Sequence, residues 1–137
     1  MILHSHSEEE TKAIGRRLAT ETEAETICLF GEMGCGKTEF VKGFLEGLGY
    51  HGDVTSPTFA LCHTYEADKT VYHYDLYRLS GYDDLYSIGF FDRPHGTVAL
   101  IEWSENAEEY LPDDALRIYF EYGSGETERI LQWEDAK

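Results

Sequence analysis

An α/β domain of three layers around a mixed sheet is the fold class the sequence predicts, and three observations carry it. The apolar run Thr26-Ile27-Cys28-Leu29-Phe30 reads as a buried strand. Directly after it stands Gly31-Glu32-Met33-Gly34-Cys35-Gly36-Lys37-Thr38, which fits G-x-x-x-x-G-K-[ST] and opens a helix over Lys37–Gly47. Further along, strand-like runs flank short turns and alternate with helical stretches. Strand, glycine loop and helix in that order make this a P-loop NTPase-like domain, with residues 1–137 read as a single such domain.

The elements follow in order. Ser7 and Glu10 have the form of a capping box, and Ala13, Ile14 and Leu18 then recur at helical spacing through Thr22. A Gly-rich polar connection over 47–57 follows the loop helix. Phe59, Leu61, His63 and Tyr65 alternate with smaller or polar residues as in a strand, and Ala67-Asp68-Lys69-Thr70 is its turn. The run 71–79 alternates again, with Val71, His73 and Asp75 on one face and Tyr72, Tyr74 and Leu76 on the other. Ser80 is placed to cap a short helix over 82–88, and 97–103 is a continuous apolar strand closing on Glu102-Trp103. Ser104 is placed to cap another helix through Tyr110, which Pro112 stops. Strands over Leu116–Tyr122 and 127–133 then flank Gly123-Ser124-Gly125 as a second hairpin.

Charge narrows the function classes. Eleven basic against 27 acidic residues give a formal net charge of −16, a field that repels nucleic-acid backbones, so any RNA connection is expected to be indirect. The same field disfavours a polyphosphate, so the loop, a cation and Arg16, Arg17 or Lys42 are expected to reverse the sign locally. Cys28, Cys35 and Cys62 are odd in number and lack framework spacing, which favours a reducing cytoplasm over a disulfide-stapled secreted domain. No run reaches membrane-spanning length, and no membrane association is expected.

The loop's spelling is chemical. Glycines let successive N–H groups converge on one phosphate chain, Lys37 adds a mobile positive charge, and Thr38 supplies a hydroxyl for Mg²⁺. The helix that follows turns its positive dipole end to the same anion. Such loops work with an acid at the end of a neighbouring strand, and Glu102 fits that position, an edge glutamate in water being the plainer reading. Asp75 reads equally as a site carboxylate or as an ion pair with Arg78. His63, His73 and Asp75 would form a metal trio if the hairpin brought them together. Thr55-Ser56-Pro57-Thr58 reads either as a segment that closes on the terminal phosphate or as an ordinary Ser/Thr turn.

Taken together, these residues resemble the TsaE (YjeE) family of small bacterial P-loop ATPases over nearly the whole chain. The resemblance rests on Ser7-Glu8-Glu9-Glu10-Thr11, the loop from Gly31 to Thr38, Ser56-Pro57-Thr58-Phe59, His73-Tyr74-Asp75-Leu76-Tyr77-Arg78-Leu79 and Ile101-Glu102-Trp103, in that order. It implies an ATP-binding and hydrolysing accessory that supports the TsaD and TsaB proteins in threonylcarbamoylation of the tRNA adenosine beside the anticodon. It further implies ATP/ADP and Mg²⁺ as cofactors, with Gly34, Cys35, Gly36 and Lys37 holding phosphates and Thr38 and Glu102 binding the metal. Asp75 would support hydrolysis or the switch, Glu8 and Thr11 would lie near the nucleotide base, and Trp103 and Thr58 beside the switch. Two departures stand out. Glu39 occupies the place where a second Thr or Ser usually follows the loop, close to the nucleotide. Glu126 follows Gly125 where family members can place an Arg, leaving Arg129 as the nearest replacement.

Two rivals remain from the residues alone. A small-molecule kinase would need an Arg-rich lid, and the arginines here are scattered. A nucleotide-gated interaction module would use Tyr72, Tyr74, Tyr77, Tyr82 and Tyr86 as a binding surface.

Overall fold

Seven strands form one sheet in the computed structural model, which describes residues 1–32, 35–55, 61–79 and 81–134. They are β1 (Ile2–Ser5), β2 (Thr26–Phe30), β3 (Cys62–Glu66), β4 (Thr70–Asp75), β5 (Val98–Glu102), β6 (Leu116–Tyr122) and β7 (Arg129–Gln132), in the spatial order β1-β7-β6-β2-β5-β4-β3. The central strands β6, β2, β5 and β4 run parallel, while β3, β7 and β1 add antiparallel edges. Every residue of β2 and β5 is buried, as continuous apolar runs covered on both faces require.

Helices α1 (Glu8–Glu21) and α2 (Lys37–Gly47) cover one face, packing Leu18, Phe40, Val41, Phe44 and Leu45 onto Ile27, Leu29, Val71 and Leu100. On the other face α3 (Tyr82–Ser87) and a 3₁₀ segment (Ser104–Tyr110) bring Leu85 and Ala107 against Cys28, Tyr74, Ala99 and Ile101. The three-layer mixed sheet expected from the sequence is therefore what forms. Two glycines set the approach of α1 to α2: a Cβ on Gly43 would lie 1.9 Å from the Lys12 carbonyl oxygen, and one on Gly15 2.3 Å from that of Phe40. The helices touch backbone to backbone.

Several elements differ from expectation. β1 carries no signal in the sequence; its four residues are held by pairing with β7. β4 ends at Asp75 instead of continuing to 79, because the chain turns there, with Leu76 N–H donating to the Glu102 carbonyl at 3.1 Å. Gly81 is the N-cap of α3, and Ser80 lies outside the described residues, as do Ser56, Pro57, Thr58 and Phe59. The segment after β5 is a kinked 3₁₀ helix whose N-cap is Trp103, since the Ser104 hydroxyl donates backwards to the Ile101 carbonyl at 2.8 Å. At α1 the Ser7 hydroxyl accepts the Glu10 N–H as expected, but Glu10 reaches the N–H of His6, not of Ser7. Cys28, Cys35 and Cys62 are all free, and no described helix is long and apolar enough to cross a membrane.

Candidate nucleotide site

The carboxyl ends of the parallel strands meet at one place. Leu29 is the register partner of Glu102 across β2 and β5, and Asp75 is the partner of Glu102 across β4 and β5. The loop leaves β2 two residues later, at Gly31, so it starts beside both acids. This is the crevice in which open α/β sheets take ligands.

The loop returns through Gly36, whose φ of 96° is left-handed and costs least at glycine. A Cβ there would meet Thr11 Cγ2 at 3.4 Å and Arg129 Cγ at 4.0 Å, so the turn leans on α1 and on β7. α2 begins at Lys37 without a side-chain cap, so its first N–H groups remain turned toward the loop. The Lys37 ammonium is buried, donates to the Gly31 carbonyl at 2.6 Å and lies 3.9 Å from the centre of the Trp103 ring. Trp103 itself has φ 58° and ψ 43°, a left-handed conformation that is costly for so bulky a residue. Tyr77 packs on it with ring centres 5.0 Å apart.

Glu102 is 4% exposed and its Oε2 lies 2.5 Å from Nε2 of His73, which is fully buried. Nδ1 of His73 has no hydrogen-bond partner among the described residues. A proton on Nε2 lets the ring donate to the carboxylate. His73 thus holds one oxygen of Glu102 and leaves Oε1 directed elsewhere. Asp75 Oδ1 accepts the Tyr77 N–H at 3.0 Å. Burial raises its carboxyl above the usual range and Glu102 adds to this, while the Tyr77 N–H, His73 and Lys37 oppose it. No ion pair joins Asp75 to Arg78 among the described residues, which removes that reading. The metal trio does not form either: among the described residues no three His, Cys, Asp or Glu side chains converge, and His63 Nδ1 instead meets the Thr55 carbonyl at 3.2 Å.

The remaining expected residues separate. Gly34 lies outside the described residues. Cys35 is 1% exposed and packs in the core, and Thr38 sits half-buried in the first turn of α2. Thr11 is buried behind Gly36 with its hydroxyl 2.7 Å from that of Ser5, so it supports the loop from behind, while Glu8 is exposed at the start of α1. The Glu39 carboxylate pairs with Lys42 at 3.3 Å. Arg16 and Arg17 pair with Glu46 and Glu21, so the helix cations expected to offset the negative field are engaged with their own acids. Arg129 passes Gly36 by its stem and donates to the Glu126 and Glu128 carbonyls at 3.0 and 2.9 Å.

Two residues were not singled out for what they do here. Glu105 accepts the Gly31 N–H at 3.1 Å and fixes the loop's first residue, and His73 holds Glu102. The register of two parallel strands carries the second contact; a capping pattern would have had to point backwards from a 3₁₀ turn to reveal the first.

Hard oxygen donors suit the metal expected here. Thr38 offers a hydroxyl and Glu102 and Asp75 offer carboxylates, and Mg²⁺ in phosphate sites takes one or two carboxylates and fills its remaining positions with phosphate and water.

A buried strand, a left-handed glycine at a helix N-terminus, a buried lysine opening that helix, and two carboxylates in register at the neighbouring strand ends define a P-loop NTPase fold. The family model described as threonylcarbamoyl adenosine biosynthesis protein TsaE matches residues 5–131, and the chain belongs to the TsaE family. It is 40% identical over 126 residues to the tRNA threonylcarbamoyladenosine biosynthesis protein TsaE of Bacillus subtilis, covering 90% of this chain and 78% of that one. The protein of the same name from Rickettsia conorii is 39% identical over 119 residues, 85% of this chain and 68% of that one. The crystal structure of Bacillus subtilis YdiB superposes with a TM-score of 0.78 at 32% identity, covering 100% of this chain and 86% of that one.

Proposed function

We propose that the chain binds ATP with Mg²⁺ at the Gly31–Thr38 loop, hydrolyses it slowly alone, and in the cytoplasm supports TsaD and TsaB in threonylcarbamoylating tRNA adenosine. The observation that carries the nucleotide reading is the register that sets Asp75 beside Glu102 at the strand ends where the loop leaves β2, with Lys37 opening α2 and its ammonium on the Gly31 carbonyl. Family membership supports the tRNA-modification role.

In this reading the α2 N-terminus and the Lys37 ammonium bind the phosphates, and Lys37 leaves the Gly31 carbonyl to do so. Thr38 and Glu102 would hold Mg²⁺, whose charge would offset that of the phosphoryl group. His73 keeps Glu102 in one orientation, and Asp75 orients the attacking water. ADP remains on the same groups after transfer. The acidic surface keeps tRNA at a distance, so RNA is reached only through the partner complex.

Hydrolysis here depends on positioning and electrostatics, and a site completed only by partners is expected to be slow without them. The test is ATP turnover by the chain alone and with TsaB and TsaD, read together with threonylcarbamoyladenosine formation on tRNA. A rise in both on adding partners is expected. Equal turnover with and without them would refute partner dependence.

A further inference from the structure

Of the five tyrosines that an interaction module would use, the fold buries Tyr74 and half-buries Tyr72, but leaves Tyr77, Tyr82 and Tyr86 exposed. The last two belong to a larger group. Tyr82 stacks on Phe91 with ring centres 5.3 Å apart, faces Tyr110 at 5.7 Å and Tyr86 at 6.4 Å, and Phe91 meets Tyr110 edge-on at 6.2 Å. Tyr86, Tyr82 and Phe91 remain 65%, 50% and 43% exposed. Three exposed rings braced on the half-buried Tyr110 are rigid anchors of the kind that dominate protein interfaces, because little side-chain freedom is lost when they are covered.

The rim of this ledge is acidic. Asp83, Asp92 and Glu109 are the chain neighbours of Tyr82, Phe91 and Tyr110, all three are exposed, and none is in an ion pair among the described residues. That charge selects the occupant. A second copy meeting the ledge about a two-fold axis would set the same acids against one another and add another −16. Nucleic acid and anionic membranes are repelled for the same reason. A protein surface that rings an apolar socket with lysine and arginine is attracted.

The ledge is also tied to the nucleotide site. Tyr110 closes the 3₁₀ segment that begins one residue beyond Trp103, and α3 follows the turn that ends β4. Asn106 Nδ2 donates to the Leu76 carbonyl at 2.8 Å, joining the segments that leave the two carboxylate-bearing strands.

We propose that Tyr82, Tyr86, Phe91 and Tyr110 form a docking surface for a protein partner that presents an apolar socket rimmed by basic side chains. The proposal rests on the reading that this chain works with partner proteins, and the TsaB and TsaD proteins of the same organism are the probe. Their binding is measured by calorimetry for the wild type, for the rim variant Asp83→Lys/Asp92→Lys/Glu109→Lys, and for the ledge variant Tyr86→Ser/Phe91→Ser. Both variants should weaken binding about tenfold or more while ATP affinity and the circular dichroism spectrum stay unchanged, and wild-type binding should fall as salt is added. Wild-type binding that both variants retain would overturn the surface and leave the partnership standing. Failure of the wild type to bind either protein would overturn the partnership, and the surface with it. Wild-type self-association that the ledge variant abolishes, seen by sedimentation, would make the occupant a second copy and overturn the proposal.

Discussion

His73 Nε2 stands 2.5 Å from Glu102 Oε2, both groups are buried, and the other ring nitrogen of His73 has no polar partner among the described residues. The contact is possible because β4 and β5 are parallel and in register, so that His73 lies opposite Leu100 and one pleat from Glu102 on the same face. Replacing His73 by Ala frees the carboxylate to turn. Mg²⁺-dependent ATP hydrolysis should fall about 10–100-fold, as for other residues that orient a metal ligand, while ATP binding without Mg²⁺ stays as it was. Calorimetry with and without the metal separates these, and His73→Gln, which can still donate, should recover part of the loss. The lost hydrogen bond to a charged group should also cost about 1.5–3 kcal/mol of stability.

Asp75 predicts an opposite effect on stability. Burial and Glu102 raise its carboxyl above the ordinary value, so the folded chain holds that proton more tightly than the unfolded chain. This contributes stability below the unfolded pKa and is lost as pH rises through the higher folded one, leaving a cost at neutral pH. Asp75→Asn keeps an oxygen for the Tyr77 N–H and removes the charge. Thermal melts should show the variant more stable than the wild type at neutral pH, with the gain vanishing in acid, while hydrolysis drops. A variant less stable at neutral pH would show that the carboxylate is favourably paired.

Much of this arrangement was legible in the sequence. The strand–loop–helix order, the two hairpins and the strand ending in Glu102 all come from local pattern and turn chemistry, which act over a few residues. What stayed hidden depends on distant pairing. β1 is a strand because β7, more than a hundred residues away, supplies its partners. The strand pattern past Asp75 fails because the chain must turn where β4 reaches the crevice. The helix read after β5 is a 3₁₀ segment because Trp103 is left-handed and turns Ser104 back onto Ile101. Thr11, Glu39, Arg16 and Arg17 show the same limit: the family resemblance set the first two beside the nucleotide and the charge balance suggested the arginines, whereas their partners here, Ser5, Lys42, Glu46 and Glu21, are set by packing between elements.

Lys37 over the Trp103 ring offers an optical readout. A bound triphosphate should draw the ammonium from the Gly31 carbonyl and from the indole face, changing Trp103 emission. Trp133, the second tryptophan, is buried away among core residues, so a Trp133→Phe background isolates the signal. Emission unaltered at saturating ATP would mean that Lys37 stays where it is.

Gly43 tests the packing that places α2. Gly43→Ala would put a methyl 1.9 Å from the Lys12 carbonyl oxygen, and backbone has little freedom to yield. Denaturant unfolding should register a loss of about 1–3 kcal/mol, toward the upper end. A neutral substitution would mean that the helices part easily.

The claim on which the functional reading depends is that Lys37 and the amides around it grip a triphosphate. Titration calorimetry of ATP and Mg²⁺ into the wild type and Lys37→Ala tests it most directly. The wild type should bind one nucleotide per chain, and the variant should bind about a hundredfold more weakly or not measurably. Equal affinity for the two proteins, or no binding by the wild type, would show that this loop does not hold the nucleotide.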